Sequence, residues 1–276
     1  MIRVELVKLL RRPRTWVTLG LLCALPVVVA AFVAVRHLAP APGRGPAFLS
    51  AVLNNGSLYP AAAMAMVVPI FLPIAVAVLA GDSVAGEAAG GTLRYLLARP
   101  VGRTRLLVAK LVALTVFVLV ALAAVVATSY AAGVLLLGTA PPAALGEPGG
   151  VTSLSGPPLT PMQLTLRVLG TVGFITVSML GVAAIALFLS TLTDSALGAA
   201  LGALAVVITS DVLITLDAAN AVQPYLPTRY WLAWVDFFRD PIFWRDIDRG
   251  LAVQGVYVGL LLAASWANFM TKDIKS

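Results

Sequence analysis

The chain has a single cysteine, Cys23, and a single histidine, His37, in 276 residues. One thiol excludes an intramolecular disulfide and the paired CxxC spacing of zinc or redox sites. One imidazole falls short of the four ligands that zinc usually takes, so no metal site is assigned and His37 reads as an interfacial residue. Charge is scarce as well: 11% of residues are Asp, Glu, Lys or Arg, where a soluble domain carries about 25%. There is no GxxxxGK[ST] loop, so the chain cannot cradle nucleotide phosphates by that device. Neither GxSxG nor HExxH occurs, and a hydrolase that needs two histidines is excluded. Asp211 lies in an apolar run, where an ionisable group is often functional, but an aspartyl enzyme would need a second carboxylate beside it.

What is present is hydrophobic: 60% of the chain. Apolar runs at 16–35, 61–80, 106–138, 166–190, 196–216 and 251–270 are long enough to cross a bilayer as helices, which makes this an all-α integral membrane protein of six spans. A basic start followed by an apolar run also fits a signal peptide, but the run is long and five more follow, so an uncleaved first span is expected. Residues 1–15 carry Arg3, Lys8, Arg11, Arg12 and Arg14, with Ile2, Leu6, Leu9 and Leu10 near one helical face, the pattern of an N-terminal interfacial helix. The net charge of +7 sits beside the spans, without the soluble basic domain that nucleic acid would require. Placing both termini in the cytoplasm puts twelve of the nineteen Lys and Arg there, as the positive-inside rule asks.

The segment 81–105 is the most ordered polar stretch. Asp82 and Glu87 open it and suit the N-terminal turns of a short helix; Gly90, Gly91 and Thr92 break it. Leu93 and Leu97 then form an apolar patch among Arg94, Arg99, Arg103, Arg105 and Lys110, and Pro100 stops the second helix. This order of acid, Gly-Thr-Leu, Leu-Leu-Ala-x-Pro and basic cluster resembles the cytoplasmic loop of type-2 ATP-binding-cassette (ABC) exporter permeases. Ala88, Ala89 and Gly90 stand where that family often carries more charge.

The resemblance implies a single transmembrane permease domain over 1–276, with a coupling helix between spans two and three. Asp82, Glu87, Gly91, Thr92, Leu93, Arg94, Leu97, Arg99 and Pro100 would be its ATPase-coupling residues. It implies two copies of an ABC ATPase carrying ATP and Mg, a second permease copy as homodimer or heterodimer, and no cofactor on this chain. It further implies that Arg3, Lys8, Arg11 and Arg12 belong to a helix that touches the ATPase; a plain topology anchor is the other reading of that helix.

Residues 139–165, rich in Pro, Gly, Ser and Thr, read as a flexible external loop. Residues 217–250 alternate aromatic and charged side chains; Tyr230, Trp231, Trp234, Phe237 and Phe238 are either an interfacial aromatic belt or, by the resemblance, re-entrant helices forming an external gate. Met64, Met66, Pro69, Pro73 and Asp211 are candidate lining of a translocation path, with Thr171, Thr176 and Ser178 as sparse hydroxyls suited to a lipophilic or amphiphilic substrate. Gly198 and Gly202 have the spacing of a close helix contact, including one between two copies. The resemblance implies export of a drug, antibiotic, lipid or lipid-linked glycan. A permease-like machine that passes ATP-driven motion to an extracytoplasmic partner is the alternative. The Ala-, Gly-, Arg- and Pro-rich composition suggests a bacterial inner membrane.

Overall fold

A computed structural model describes residues 1–36, 56, 59–91, 103–138 and 151–271. The described chain is helical, with one two-residue antiparallel pairing of β1 (Val151–Thr152) and β2 (Pro158–Leu159). Helix α1 (Ile2–Arg11) ends because Arg12 precedes Pro13 and adopts extended backbone, with φ −78° and ψ 121°. Pro13 then opens α2 (Pro13–Arg36) at a position where its missing N–H is not needed.

The second span is α3 (Tyr59–Met66), a π turn at Val67–Phe71, and α4 (Leu72–Ala89). Pro69, which has no N–H to give to the ladder, sits in that widened turn. Pro73 falls in the first turn of α4. The helix therefore runs nine residues past the expected end of the span, and Asp82 and Glu87 lie in its closing turns instead of opening a new helix. Gly91 terminates it with φ +67°, a left-handed conformation that glycine takes freely. Helix α5 (Arg103–Ala132) continues as a π turn at Gly133–Leu137.

Thr160 caps α6 (Pro161–Leu192), accepting from Gln163 N at 3.3 Å while its own N–H donates to Gln163 Oε1 at 3.0 Å. The external loop expected over 139–165 thus ends at residue 160, and 151–160 is partly ordered by the small ladder. Ser195 caps α7 (Ala196–Ile214), and α8 (Trp244–Thr271) closes the fold.

Among the described residues, six helices are long and apolar enough to cross a membrane: α2, α3 with α4, α5, α6, α7 and α8. Some 61% and 67% of the second and fourth spans are buried, against 22%, 28% and 17% of the first, fifth and sixth. The former make the core together with one face of α5, and the latter leave their flanks for lipid or another chain. Gly81 permits α4 to touch α7, since a Cβ there would stand 2.8 Å from Ala200 N. Gly202 is used inside this chain too, facing Leu189 of α6, and Gly198 faces its own cap Ser195. Gly198 itself is exposed on α7.

At the end opposite α1, the link from α7 to α8 is a run of 3-10 turns at Asp217–Ala219, Gln223–Tyr225 and Trp231–Phe238. Its rings divide between the surface and the core: Tyr225, Phe243 and Trp244 are exposed. Trp231, Trp234 and Phe237 are buried and join the main core, while Tyr230 and Phe238 pack half-buried against it. Phe237 meets Phe174 of α6 and Trp244 of α8 edge-on, at 6.5 and 5.9 Å between ring centres. Ser210 of α7 and Gln254 of α8 bond to Thr228 and to Pro227 O, so both flanking spans hold the same turn.

Candidate functional site: a buried ion cluster beneath the first helix

Helix α1 is unusual in what it hides. Its one buried residue is Glu5, whereas Ile2, Val4, Val7 and Leu10 are exposed. The expected apolar face is thus split: Leu9 packs on the core, and Ile2 and Leu10 point away from it. The reason is what lies beneath. Lys110, two turns into α5, is 3% exposed, and Glu87 in the last turn of α4 is 4% exposed. An ammonium and a carboxylate so buried require partners, and α1 supplies two more charges.

Lys8 Nζ donates to Glu5 Oε1 at 3.1 Å and to Glu87 Oε1 at 3.0 Å. Lys110 Nζ is 2.8 Å from Glu87 Oε2 and 3.5 Å from Glu5 Oε2, and it donates to Ser83 O at 2.6 Å. Two acids and two bases therefore alternate, with formal charge summing to zero, across α1, α4 and α5. Burial favours loss of the Lys8 proton, but the hydrogen bond and attraction of Glu87, and then of Glu5, outweigh it, and the pKa rises above 10.5.

A second, more open tie flanks the first. Asp82 accepts from Arg12, in the link between α1 and α2, and from Arg14 at 3.3 Å. Acids at the C-terminal end of α4 oppose the helix dipole, and the cations of α1, α2 and α5 offset that cost. Between the ties lies a cavity of about 40 Å³ lined by Glu5, Lys8, Thr15, Ser83, Glu87 and Lys110. Ser190 of α6 fixes the same turn of α4 from behind, donating to Gly81 O at 2.7 Å and accepting from Ala85 N at 2.8 Å. Arg103 caps the last turn of α8 through Phe269 O and Met270 O at 2.8 and 2.9 Å, so the α5 start is bound to the sixth span as well. No nucleophile–base pair is assembled here; the arrangement is a clamp between helices.

Of the residues singled out in the sequence, the structure unites Asp82 and Glu87 with Lys8 and Arg12. Arg3 and Arg11 remain exposed on α1, and Gly91 ends α4. Thr92, Leu93, Arg94, Leu97, Arg99 and Pro100 lie outside the described residues. Met64 and Pro73 are buried in the core, Met66 and Pro69 half-buried. Thr176 and Ser178 are buried and bond their own helix at Val172 O and Phe174 O. Asp211 is exposed in the last turn of α7, with no hydrogen-bonded or ionic partner among the described residues. Glu5 was missed as a partner, though an acid at three residues from Lys8 in a basic helix was a signal. Lys110, inside an apolar run, was another.

No curated protein matches the chain. A family model described as ABC-2 family transporter protein matches residues 1–210, which takes in α1, the ion cluster and five spans, and stops short of the aromatic cap and α8. The chain belongs to this ABC-2 transporter family: it is a multi-pass membrane permease subunit of an ABC transporter, which works with an ABC ATPase subunit.

Proposed function

We propose that the end bearing α1 is the cytoplasmic end, that the ATPase docks on α1 and on the coupling loop 81–105, and that the Glu5–Lys8–Glu87–Lys110 cluster carries the ATPase's movement into spans two and three. The single observation behind this reading is that cluster, a buried ionic joint between the most peripheral helix and two membrane spans. Ion pairs in a low-dielectric site are stiff and directional, so a push on α1 moves α4 and α5 with it. The exposed Val4, Val7 and Leu10 beside Arg3 and Arg11 give α1 an outward face with both apolar and cationic character.

On this reading two permease copies pair with two ATPase copies in a bacterial plasma membrane, ATP and Mg reside on the ATPase, and both termini are cytoplasmic. The cargo is lipophilic or amphiphilic and moves outward, since the interior is apolar with few hydroxyls. Flanks of α7 bearing Asp211 are open for the second copy or the cargo.

Sidedness and docking are tested together. In a Cys23→Ala background, a cysteine at Arg3 should react with a membrane-impermeant maleimide only after cells are opened, and one at Tyr225 in intact cells. The Arg11→Cys variant should cross-link to the co-expressed ATPase. Labelling of the Arg3 position in intact cells, or no ATPase cross-link from α1, would remove the reading.

A further inference from the structure

Two surface hollows on the end opposite α1 run into one another. One, of about 550 Å³, brings the polar side chains of Asn220, Gln223, Arg229 and Arg249 together with apolar ones; the second, of about 520 Å³, is almost wholly apolar, lined by Val256, Tyr257, Leu260 and Leu261. They share Tyr225, Ala252 and Val253. On α8, Arg249, Val253, Val256 and Leu260 follow at helical spacing, so a charged head and an apolar trough lie along one face.

Three observations identify what fits. First, the guanidinium groups of Arg229 and Arg249 both line the first hollow and neither has an ionic or hydrogen-bonded side-chain partner among the described residues, while Asp246 and Asp248 of the same helix are not part of its lining. Two cations without a carboxylate call for an anion. Second, the distance from Arg249 to Leu261 is about 18 Å along the helix, close to half of a hydrocarbon core of about 30 Å. Third, the trough opens on the flank of the least buried span, with Val256 and Leu260 59% and 67% exposed. The floor is fixed: Tyr257 hydroxyl donates to Tyr225 O at 3.2 Å, and Gln223 Nε2 donates to Ile214 O at 3.1 Å.

We propose that this composite groove binds an anionic phospholipid of the surrounding bilayer, its phosphate on Arg229 and Arg249 and one acyl chain along Val253, Val256 and Leu260. A lipid seated there would brace the 3-10 link against α8, and the site requires neither ATPase nor cargo to be filled.

The full chain is purified in detergent, offered equal amounts of phosphatidylglycerol and phosphatidylcholine, and its retained lipid is counted by native mass spectrometry. Wild type should retain phosphatidylglycerol preferentially. The Arg229→Gln/Arg249→Gln variant, exposed at both positions and so expected to fold, should lose that preference by about tenfold. Arg245→Gln, on the same helix but outside the groove, should keep it. An unchanged preference in the double variant, or an equal loss in Arg245→Gln, would overturn the proposal. So would efficient cross-linking of Val256→Cys to a second copy, in the Cys23→Ala background, because the trough would then be a protein interface.

Discussion

Where α1 meets the bundle, four charges within 3.5 Å contacts join three helices, and a third acid, Asp82, is held by two arginines. At the opposite end Trp234, Phe237 and Phe238 hold the 3-10 link by edge-on ring packing, and the ionic ties to it are single pairs, such as buried Arg167 to half-buried Asp240 at 3.1 Å. Ring packing is short-ranged and fixes a body in place. Charge clusters are directional, respond to a neighbouring charge and are costly to break singly. A partner can therefore act through the first end, while the second resists.

Removing one member of the four-charge cluster should have the largest effect. Glu87→Ala leaves Lys110 buried with half its counter-charge and should cost about 3–5 kcal/mol, read as a fall in the thermal midpoint of the protein in nanodiscs. A loss under about 1 kcal/mol would mean that the cluster is hydrated and loosely held. Next comes the aromatic cap: Trp234→Ala, at a fully buried site, should cost about 3 kcal/mol and leave α1 unaffected, as hydrogen exchange of residues 2–11 would report. If α1 loosened equally, the two ends would be one unit and the contrast would fail.

Asp82→Asn should be milder, about 0.5–1 kcal/mol, because Arg12 and Arg14 are partly in solvent, and the difference from wild type should shrink in high salt. The smallest effect is with pH. The Lys8 pKa is raised on folding, so its contribution is complete below the unfolded value near 10.5 and is lost only as pH climbs through the higher folded value. Protection of α1 amides should thus stay flat, as far as Lys8 is concerned, from pH 7 to 10 and drop beyond 10.5, with the drop absent in Lys8→Met. A decline near neutral pH that Lys8→Met abolishes would contradict the assignment.

The six spans were legible because 20-residue apolar runs leave the backbone few other ways to satisfy its hydrogen bonds in lipid. The break at Gly90 and Gly91 was legible from glycine's freedom at a helix end. What could not be read was partnership. Asp82 and Glu87 looked like the start of a helix because acids favour that end; their partners, Lys8, Arg12, Arg14 and Lys110, come from 68–79 residues upstream and 23 downstream, a register that only tertiary packing sets. The aromatic segment likewise left two readings open, an interfacial belt or re-entrant helices, since composition does not say which rings pack inward. Trp231, Trp234 and Phe237 are nevertheless inside, and Gly170 of α6 leaves the room for Phe237, since a Cβ there would stand 2.9 Å from the ring.

The central claim, that the buried cluster transmits the ATPase's movement, is tested most directly by removing both charges of its inner pair at once. Glu87→Gln/Lys110→Met leaves no unpaired inner charge and should fold with a thermal midpoint close to wild type. Reconstituted in nanodiscs with the ATPase, it should still bind that subunit while its transport per ATP hydrolysed falls about tenfold or more. Transport per ATP equal to wild type in this folded, assembled variant would contradict the account.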